Sequence, residues 1–263
     1  MMLQKAAFCD LDNTIIFSHR KEIGEKVLVE MLRGKNQAYM TKRGYDLLQM
    51  IPRNAFIPVT SRREEQYRRI SFFKDGTVPA YALIDNGGIL LLNGERDTEW
   101  LEESYEIVGE DINQLIKMQH YFSGVLETKL QDQLILFLKP GELTDEVKAC
   151  ADGEGLMTFH HSGKMYVCSG KLTKGNAVRR FLSRFPVGCV LAAGDSEIDE
   201  SMIDAADRAF MSKDLKRKSW EGKDVRYIDP VNISENIFAE LADSKKMKED
   251  GLKDPEKRGE EQE

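Results

Sequence analysis

The sequence has few cysteines and no long hydrophobic run. Its four cysteines lie far apart and none forms a Cys-x-x-Cys pair, so their spacing indicates neither a zinc ribbon nor a disulfide framework. No segment approaches the ~20 consecutive apolar residues of a membrane helix, and the first residues lack the apolar region of a secretory signal. A Gly-x-x-x-x-Gly-Lys-Ser/Thr loop is also missing, which excludes a Walker-type kinase. From these absences we expect a cytoplasmic protein.

Neither sign of charge is in large excess. The 263 residues include 38 basic and 45 acidic side chains, for a net charge of −7. This balance argues against bulk electrostatic attraction to nucleic acid or to an anionic membrane, so we expect neither as a partner. Hydrophobic residues make up 41% of the chain, enough for a core. Nothing in the sequence decides the oligomeric state.

Short apolar segments alternate with helical patterns at both ends of the chain, which is typical of a parallel α/β sheet. Residues 98–167 instead follow the pattern αββαββ, which favours an antiparallel sheet with helices on one face. We therefore predict an α/β fold with a Rossmann-like parallel sheet core, formed by residues 1–97 and 168–243, and an inserted α+β cap. The last twenty residues, 244–263, are almost entirely polar and predict a disordered charged tail.

Several local patterns predict individual elements. Residues 26–40 alternate around a central glycine and predict a β-hairpin. Ser61 and Glu64 have the spacing of a capping box, so a helix is expected to begin at Ser61. Residues 99–122 predict one long helix, with a break near Gly109 as the alternative, and residues 234–241 predict the last helix.

Four polar clusters follow predicted strands or open predicted helices. They are Asp10-Leu11-Asp12-Asn13-Thr14, Thr60-Ser61, Lys174-Gly175, and Gly194-Asp195-Ser196 with Asp199. Open parallel sheets bind ligands at the carboxyl ends of their strands, so the clusters are expected to form one site. Paired carboxylates can share a divalent cation and a phosphate, and a hydroxyl at a helix start suits an anion. Any one cluster is explained as well by turns and caps.

The segments DLDNT, PVTSR, TKGNA and GDSEID resemble, in order, the four motifs of the haloacid dehalogenase (HAD) superfamily. The insert is similar to that family's C2-type cap. Asn86-Gly87-Gly88 and the Lys-Gly-Asn-Ala run resemble the Cof-type and sucrose-phosphate-phosphatase-like branch, although Ile198 stands where that branch usually has asparagine. A longer resemblance through PVTSRREEQYRRI is to a bacterial HAD group associated with tellurium-resistance gene clusters, and it names no substrate.

The resemblance implies a Mg²⁺-dependent phosphatase that hydrolyses a small phosphorylated metabolite through an aspartyl-phosphate, and the branch favours a sugar phosphate. Asp10 would be the nucleophile and Asp12 the general acid and base. The implied phosphate ligands are Thr60, Ser61, Asn86 and Lys174, with Lys171 as the rival of Lys174. The implied Mg²⁺ ligands are Asp10, Asp12 through its carbonyl oxygen, Asp195 and Asp199.

Four further residues are candidate substrate contacts: Arg62, His161, Lys164 and Tyr166. For each of the last three taken singly, ordinary polarity of a surface hairpin is the favoured explanation. Two alternative functions stay open at this point. A phosphomutase would use the same residues, and a regulatory or binding protein would keep the fold without turnover. Asp12 argues against the ATPase branch of the family, which has threonine at that position.

Overall fold

The structure is a computed structural model that describes residues 3–71, 78–161, 164–215 and 220–251. The strands are β1 (Ala6–Cys9), β2 (Phe17–Ser18), β3 (Lys26–Leu32), β4 (Lys35–Thr41), β5 (Phe56–Pro58), β6 (Tyr81–Ile84), β7 (Ile89–Leu92), β8 (Glu95–Arg96), β9 (Glu127–Gln131), β10 (Ile135–Lys139), β11 (Leu156–His161), β12 (Lys164–Ser169), β13 (Val190–Gly194), β14 (Arg208–Ser212) and β15 (Asp224–Ile228). The helices are α1 (Lys42–Leu48), α2 (Glu64–Tyr67), α3 (Thr98–Val108), α4 (Asp111–Phe122), α5 (Thr144–Gly153), α6 (Lys174–Arg184) and α7 (Pro230–Gly251), with a 3₁₀ helix over Glu197–Ala205. Among these described helices, none combines the length and hydrophobicity that a membrane span requires.

The central sheet is parallel throughout, with strand order β15-β14-β13-β1-β5. All four residues of β1 are buried, as expected of a strand covered on both faces. One face packs against α1 and α7, and the other against α3, α6 and the 3₁₀ helix. A single parallel bridge between Val59 and Leu83 connects β5 to an antiparallel β6-β7-β8 sheet. The predicted α/β fold with a parallel core is confirmed.

A second, antiparallel sheet lies between the two parts of this core, with strand order β11-β12-β10-β9. Apolar residues of α4 and α5 cover one of its faces, including Leu115, Phe122 and Val147. This is the expected α+β cap, but its predicted limits at 98 and 167 stay predictions. The helix α3 falls inside those limits, yet its Trp100 is fully buried in a cluster with Phe181 of the core helix α6.

The single helix predicted over residues 99–122 is two helices. Gly109 has a φ of 58°, in the left-handed region that favours glycine, and it separates α3 from α4. The break lies at Gly109, where the sequence placed it as the alternative to one continuous helix. The two helices consequently face different partners, with α3 against the core and α4 against the cap sheet.

Two other predicted elements differ from the structure. The N-cap of α2 is Arg63 rather than Ser61, because Thr60 Oγ1 already accepts the Arg62 backbone N–H and keeps this segment extended. The last helix, α7, begins before residue 234 and continues through Gly251, so it includes the start of the segment predicted to be disordered. Lysine, methionine and glutamate favour helix there. The rest of that segment, 252–263, lies outside the described residues.

The predicted hairpin is formed by β3 and β4, with β2 added beside β4. Its register shifts on both sides of Glu30, which faces Ala38, so β3 has a bulge at this position. A bulge changes the direction of a side chain, and here the consecutive residues Val29 and Glu30 are both buried while Met31 and Leu32 are exposed. The hairpin therefore directs a carboxylate inward.

Candidate active site

The strands β1, β5 and β13 are neighbours and parallel, so their carboxyl ends meet at one edge of the sheet. Asp10 and Asp195 directly follow β1 and β13, and Thr60 lies two residues after the end of β5. The Asp10 backbone N–H continues the ladder by donating to the Ala193 carbonyl at 2.9 Å, and Thr60 N–H donates to Leu83 at 2.9 Å. The sheet thus brings together residues that lie far apart in the chain.

A buried lysine links two of the carboxylates. Lys174 Nζ donates to Asp10 Oδ1 at 2.5 Å and to Asp199 Oδ1 at 2.6 Å, and its side chain is 1% exposed. Burial acts to lower the pKa of Lys174, but the charges of the two aspartates outweigh it and raise that pKa. For Asp10, burial raises the pKa well above its usual value, although Lys174 acts in the opposite direction.

The rival lysine does not belong to this group. Lys171 is half exposed, and its Nζ donates to the Val108 carbonyl at 3.3 Å and lies 3.8 Å from Asp111 at the start of α4. Lys171 therefore links the segment after β12 to the end of α3 and the start of α4. Of the two candidate lysines, only Lys174 contacts Asp10.

Asp199 is held by a dense set of hydrogen bonds. Its Oδ2 accepts from the backbone N–H of Asp195 at 3.1 Å and of Ser196 at 3.0 Å, and from Ser196 Oγ at 2.7 Å. The close approach requires Gly194, where an added Cβ would lie 2.2 Å from the Asp199 Cβ. Ser196 and Lys174 thus position Asp199, although Ile198 replaces the polar residue usual in the resembling branch.

The site offers oxygen ligands for a hard cation. Carboxylate oxygens of Asp10, Asp195 and Asp199 lie within 4.8 Å of one another. Thr14 Oγ1 lies between two of them, 3.4 Å from Asp10 Oδ2 and 3.4 Å from Asp195 Oδ1. Burial and the charge of Asp199 raise the pKa of Asp195 to about 6. This donor set fits Mg²⁺. Both oxygens of Asp199 accept hydrogen bonds, one from Lys174 and the other from Asp195 N–H and Ser196. Asp10 Oδ2 and the carboxylate of Asp195 bond neither to Lys174 nor to Ser196.

Asp12, two residues after Asp10, has a different partner. Arg62 binds its carboxylate with both ends of the guanidinium, through Nε to Oδ2 at 2.7 Å and Nη2 to Oδ1 at 2.7 Å. The same Nη2 donates to Glu30 Oε2 at 3.0 Å, and Arg69 Nε donates to Glu30 Oε1 at 3.0 Å. Burial would lower the pKa of Arg62, but its bonds to Asp12 and Glu30 raise it. In the structure Arg62, predicted as a substrate contact, holds a carboxylate.

A cavity of about 950 Å³ opens above this edge of the sheet. Its lining comes from the strand ends, the β3–β4 hairpin, α2 and the cap strands β11 and β12. The predicted site residues that line it are Asp10, Asp12, Ser61, Arg62, Lys164, Tyr166 and Asp195. Lys174, Thr60 and Asp199 are buried beside these residues.

One predicted site residue, Asn86, stands apart from the cavity. Asn86 is 1% exposed, is absent from the cavity lining, and donates through Nδ2 to the Leu172 carbonyl at 2.6 Å. Its amide therefore joins the β6–β7 turn to the segment before α6, and the geometry gives no support to phosphate binding. The side chain of His161 lies outside the described residues.

The cap forms an aromatic wall of the cavity. The rings of Phe159 and Tyr166 stack with centroids 5.0 Å apart and an interplanar angle of 5°. Burial raises the pKa of Tyr166, and the charge of Asp12 raises it further. Lys164 Nζ lies 5.7 Å from the centroid of the Phe137 ring. Cap and core residues therefore face one space.

No protein-family model and no curated protein sequence matches the chain. Solved structures do. A protein of Thermoplasma acidophilum has a TM-score of 0.62 at 14% identity, with 91% of this chain and 98% of that chain covered. The sucrose-phosphatase of Synechocystis, solved with sucrose and phosphate, has a TM-score of 0.58 at 15% identity, covering 91% and 98%. A HAD subclass IIB sugar phosphatase has a TM-score of 0.58 at 14% identity, covering 94% and 99%.

The chain has the fold of the HAD superfamily. The likeness extends over more than nine tenths of the chain and includes both the parallel core and the cap. At these identities it shows the fold alone, so the roles of individual residues rest on the geometry described above.

Some residues of this HAD-fold site were missed by the sequence analysis. Glu30 lies in a predicted strand where the alternation gave no reason to place it inside. Thr14 was part of a recognised cluster, but its contact with Asp195 depends on strands distant in sequence. Ser196 was also part of a recognised cluster, but its capping role was not predicted, although it stands three positions before Asp199.

Proposed function

We propose that the protein is a Mg²⁺-dependent phosphatase that hydrolyses a small phosphorylated metabolite, with a phosphorylated sugar as the substrate class. The observation that supports this most is the different pairing of two neighbouring carboxylates on one cavity. Asp10 contacts the buried Lys174, and Asp12 is held by Arg62. The two carboxylates therefore have different surroundings, and we assign attack to Asp10 and proton transfer to Asp12.

The proposed substrate class rests on the structural neighbours. Two of them are a sucrose-phosphatase solved with sucrose and phosphate and a sugar phosphatase, and a third is related to trehalose-6-phosphate phosphatase, with a TM-score of 0.54 and 16% identity. The size of the cavity, about 950 Å³, is ample for a sugar phosphate.

In the proposed reaction an Asp10 oxygen attacks phosphorus, and the bond between phosphorus and the leaving oxygen breaks. Asp12 gives its proton to the leaving alkoxide. Water then attacks phosphorus in the aspartyl-phosphate, Asp12 takes a proton from it, and the bond to Asp10 breaks to release phosphate. Lys174 balances negative charge near the phosphoryl oxygens, and Thr60 and Ser61 lie at the adjacent strand end.

Asp10 and Asp195 are the side chains proposed to hold Mg²⁺, together with the Asp12 carbonyl oxygen. The cation supplies positive charge that favours development of negative charge on the phosphoryl group. Asp199 acts here by fixing Lys174 and the Asp195 backbone rather than as a direct ligand, because its oxygens accept hydrogen bonds from both.

The test is a panel of phosphorylated metabolites incubated with purified protein and Mg²⁺. We expect phosphate release from sugar phosphates and none with Asp10→Asn, whereas Asp46→Asn, on an exposed ion pair of α1, keeps the wild-type rate. Isomerised phosphate without release would instead identify a phosphomutase. Tight binding without turnover of any compound would identify a regulatory protein.

A further inference from the structure

Glu30 is a buried carboxylate outside the group of motif residues. It lies on the β3–β4 hairpin, its side chain is 1% exposed, and both its oxygens accept from guanidinium groups, of Arg62 and Arg69. Burying a carboxylate is unfavourable unless it is paired and hydrogen-bonded. The bulge in β3 is what turns Glu30 inward, and it leaves Met31 and Leu32 exposed. Such a local irregularity beside a site is typical of a functional position.

The contacts of Glu30 extend to the site through Arg62. Arg69, Glu30, Arg62 and Asp12 form a continuous line of ion pairs whose charges alternate in sign. Arg62 has one further contact, from Nη1 to the Gln66 carbonyl at 3.3 Å. Among the described residues, the carboxylates paired with this guanidinium are therefore those of Asp12 and Glu30. It fixes the orientation in which Nε and Nη2 both face Asp12.

We propose that Glu30 is a positioning residue that holds Asp12, through Arg62, at the place from which it serves the leaving group. The inference rests on the proposed phosphatase function and assigns the hairpin a part in it. Small displacements of a group that transfers a proton lower the rate strongly; about 1 Å can reduce it 10²-fold. Without Glu30, Arg62 keeps Asp12 as a partner but loses the contact that fixes its own guanidinium.

The test compares two substrates in the full-length protein with Mg²⁺. An alkyl phosphate needs its leaving group protonated, whereas nitrophenyl phosphate releases a stable nitrophenolate. We expect Glu30→Gln to lower kcat for the alkyl phosphate about 10-fold, a part of the range for general acid catalysis. With nitrophenyl phosphate kcat should fall less than about 3-fold, and KM should change little for both.

The matched control is Glu64→Gln. Glu64 is likewise a carboxylate that accepts from two arginines, Arg68 and Arg96, but it is 19% exposed and does not line the cavity. Its variant should keep the wild-type ratio of the two rates. Equal losses on both substrates in Glu30→Gln would indicate a merely structural role and overturn the proposal.

A double variant tests whether Glu30 acts through Asp12. In an Asp12→Asn background, adding Glu30→Gln should leave the alkyl phosphate rate unchanged, because the group that Glu30 positions is already lost. A further loss of the same size as in the wild type contradicts the proposal. If Glu30→Gln does not fold, Glu30→Asp keeps the charge on a shorter side chain and should show the same selective loss, and an unselective loss overturns the inference.

The two proposals fail differently. Wild-type protein that hydrolyses neither phosphate ester overturns the phosphatase function, and the inference with it. Wild-type protein that hydrolyses both, alongside a Glu30→Gln variant indistinguishable from Glu64→Gln, overturns only the role of Glu30.

Discussion

The floor and the wall of the cavity are built on different principles. On the floor, at the strand ends, Lys174 is fixed between Asp10 and Asp199, and Asp199 is fixed by the Ser196 region. On the cap wall, Lys164 contacts the face of an aromatic ring and Tyr166 packs against Phe159. Charged floor groups are buried and mutually hydrogen-bonded, whereas the wall is aromatic and partly exposed.

The difference indicates a division of tasks. A group that takes part in phosphoryl transfer has to be held in place before substrate arrives, and ion pairs between elements achieve this. A surface that selects among leaving groups needs shape and contact area instead, which aromatic rings provide. The comparison predicts that changes on the floor lower the rates for different sugar phosphates alike, and that changes on the wall alter the ranking among them.

The largest effect is expected for Lys174→Met. This change leaves Asp10 and Asp199 buried without their cation, and removing one partner of a buried pair costs about 3–5 kcal/mol. Chemical unfolding should report that loss, and turnover should fall at least about 10²-fold. As a control, Lys139→Met removes an exposed pair with Glu127 on the cap, where the loss should stay below about 1 kcal/mol. Similar losses in both variants would contradict the distinction.

Asp12→Asn should separate the two carboxylates of the floor. It keeps the backbone carbonyl but removes the proposed proton donor, so hydrolysis of an alkyl phosphate should fall about 10²–10⁴-fold. The loss with nitrophenyl phosphate should be much smaller, because its leaving group departs without a proton. Steady-state kinetics on both esters measures the contrast. A uniform loss would count against Asp12 as the acid.

Metal binding should depend on pH through Asp195. Its pKa is raised from 3.8 to about 6, so in the metal-free protein the folded state binds a proton more tightly than the unfolded chain does. Without Mg²⁺, the free energy of unfolding should therefore decrease as the pH rises from about 4 to about 6. When Mg²⁺ is present, it competes with the proton for this carboxylate. Below about pH 6 the apparent Mg²⁺ affinity should fall by up to about 10-fold per pH unit.

Thermal unfolding with and without Mg²⁺, at about pH 5 and pH 7, measures this linkage. The stabilisation by Mg²⁺ should be larger at the higher pH. Asp195→Asn should abolish most of that pH dependence. A Mg²⁺ effect that is equal at both pH values would remove Asp195 from the ligand set.

The smallest effect is expected on the wall. Replacing Lys164 and Tyr166 with alanine should change the ratio of kcat/KM between two sugar phosphates by a few-fold to about 10-fold. Tyr121→Ala is a suitable control, because this cap residue is 70% exposed and does not line the cavity. An unchanged ranking in the double alanine variant would mean that the cap wall does not select substrates.

The positions of the motif residues could be predicted because they depend on local patterns. Asp10, Thr60 and Asp195 each follow an apolar strand, and neighbouring parallel strands end at one edge. Lys174 begins α6 after the Thr173 cap. The sequence therefore indicated which side chains lie near one another, and their catalytic roles stay predictions.

The partners of these side chains could not be predicted in the same way. Arg62 was expected to contact substrate, and it binds Asp12, because a guanidinium beside a carboxylate gains more from that pair than from solvent. The inward direction of Glu30 depends on a register shift that period-two alternation does not encode. Asn86 follows a pattern typical of a turn, but its side-chain amide donates to the carbonyl of Leu172, which lies 86 positions later in the chain.

The position of β1 determines when the molecule can be completed during synthesis. This strand lies between β5 and β13, and Ala6 pairs with Val190. A nascent chain that ends before Val190 already contains all four strands of the cap sheet, whose pairings are local. It does not contain β13, which pairs with one edge of β1, so that edge stays unpaired until β13 has been synthesised. Contacts of such long sequence separation form slowly, and the segment that completes the floor of the cavity is therefore made only after the whole cap sheet.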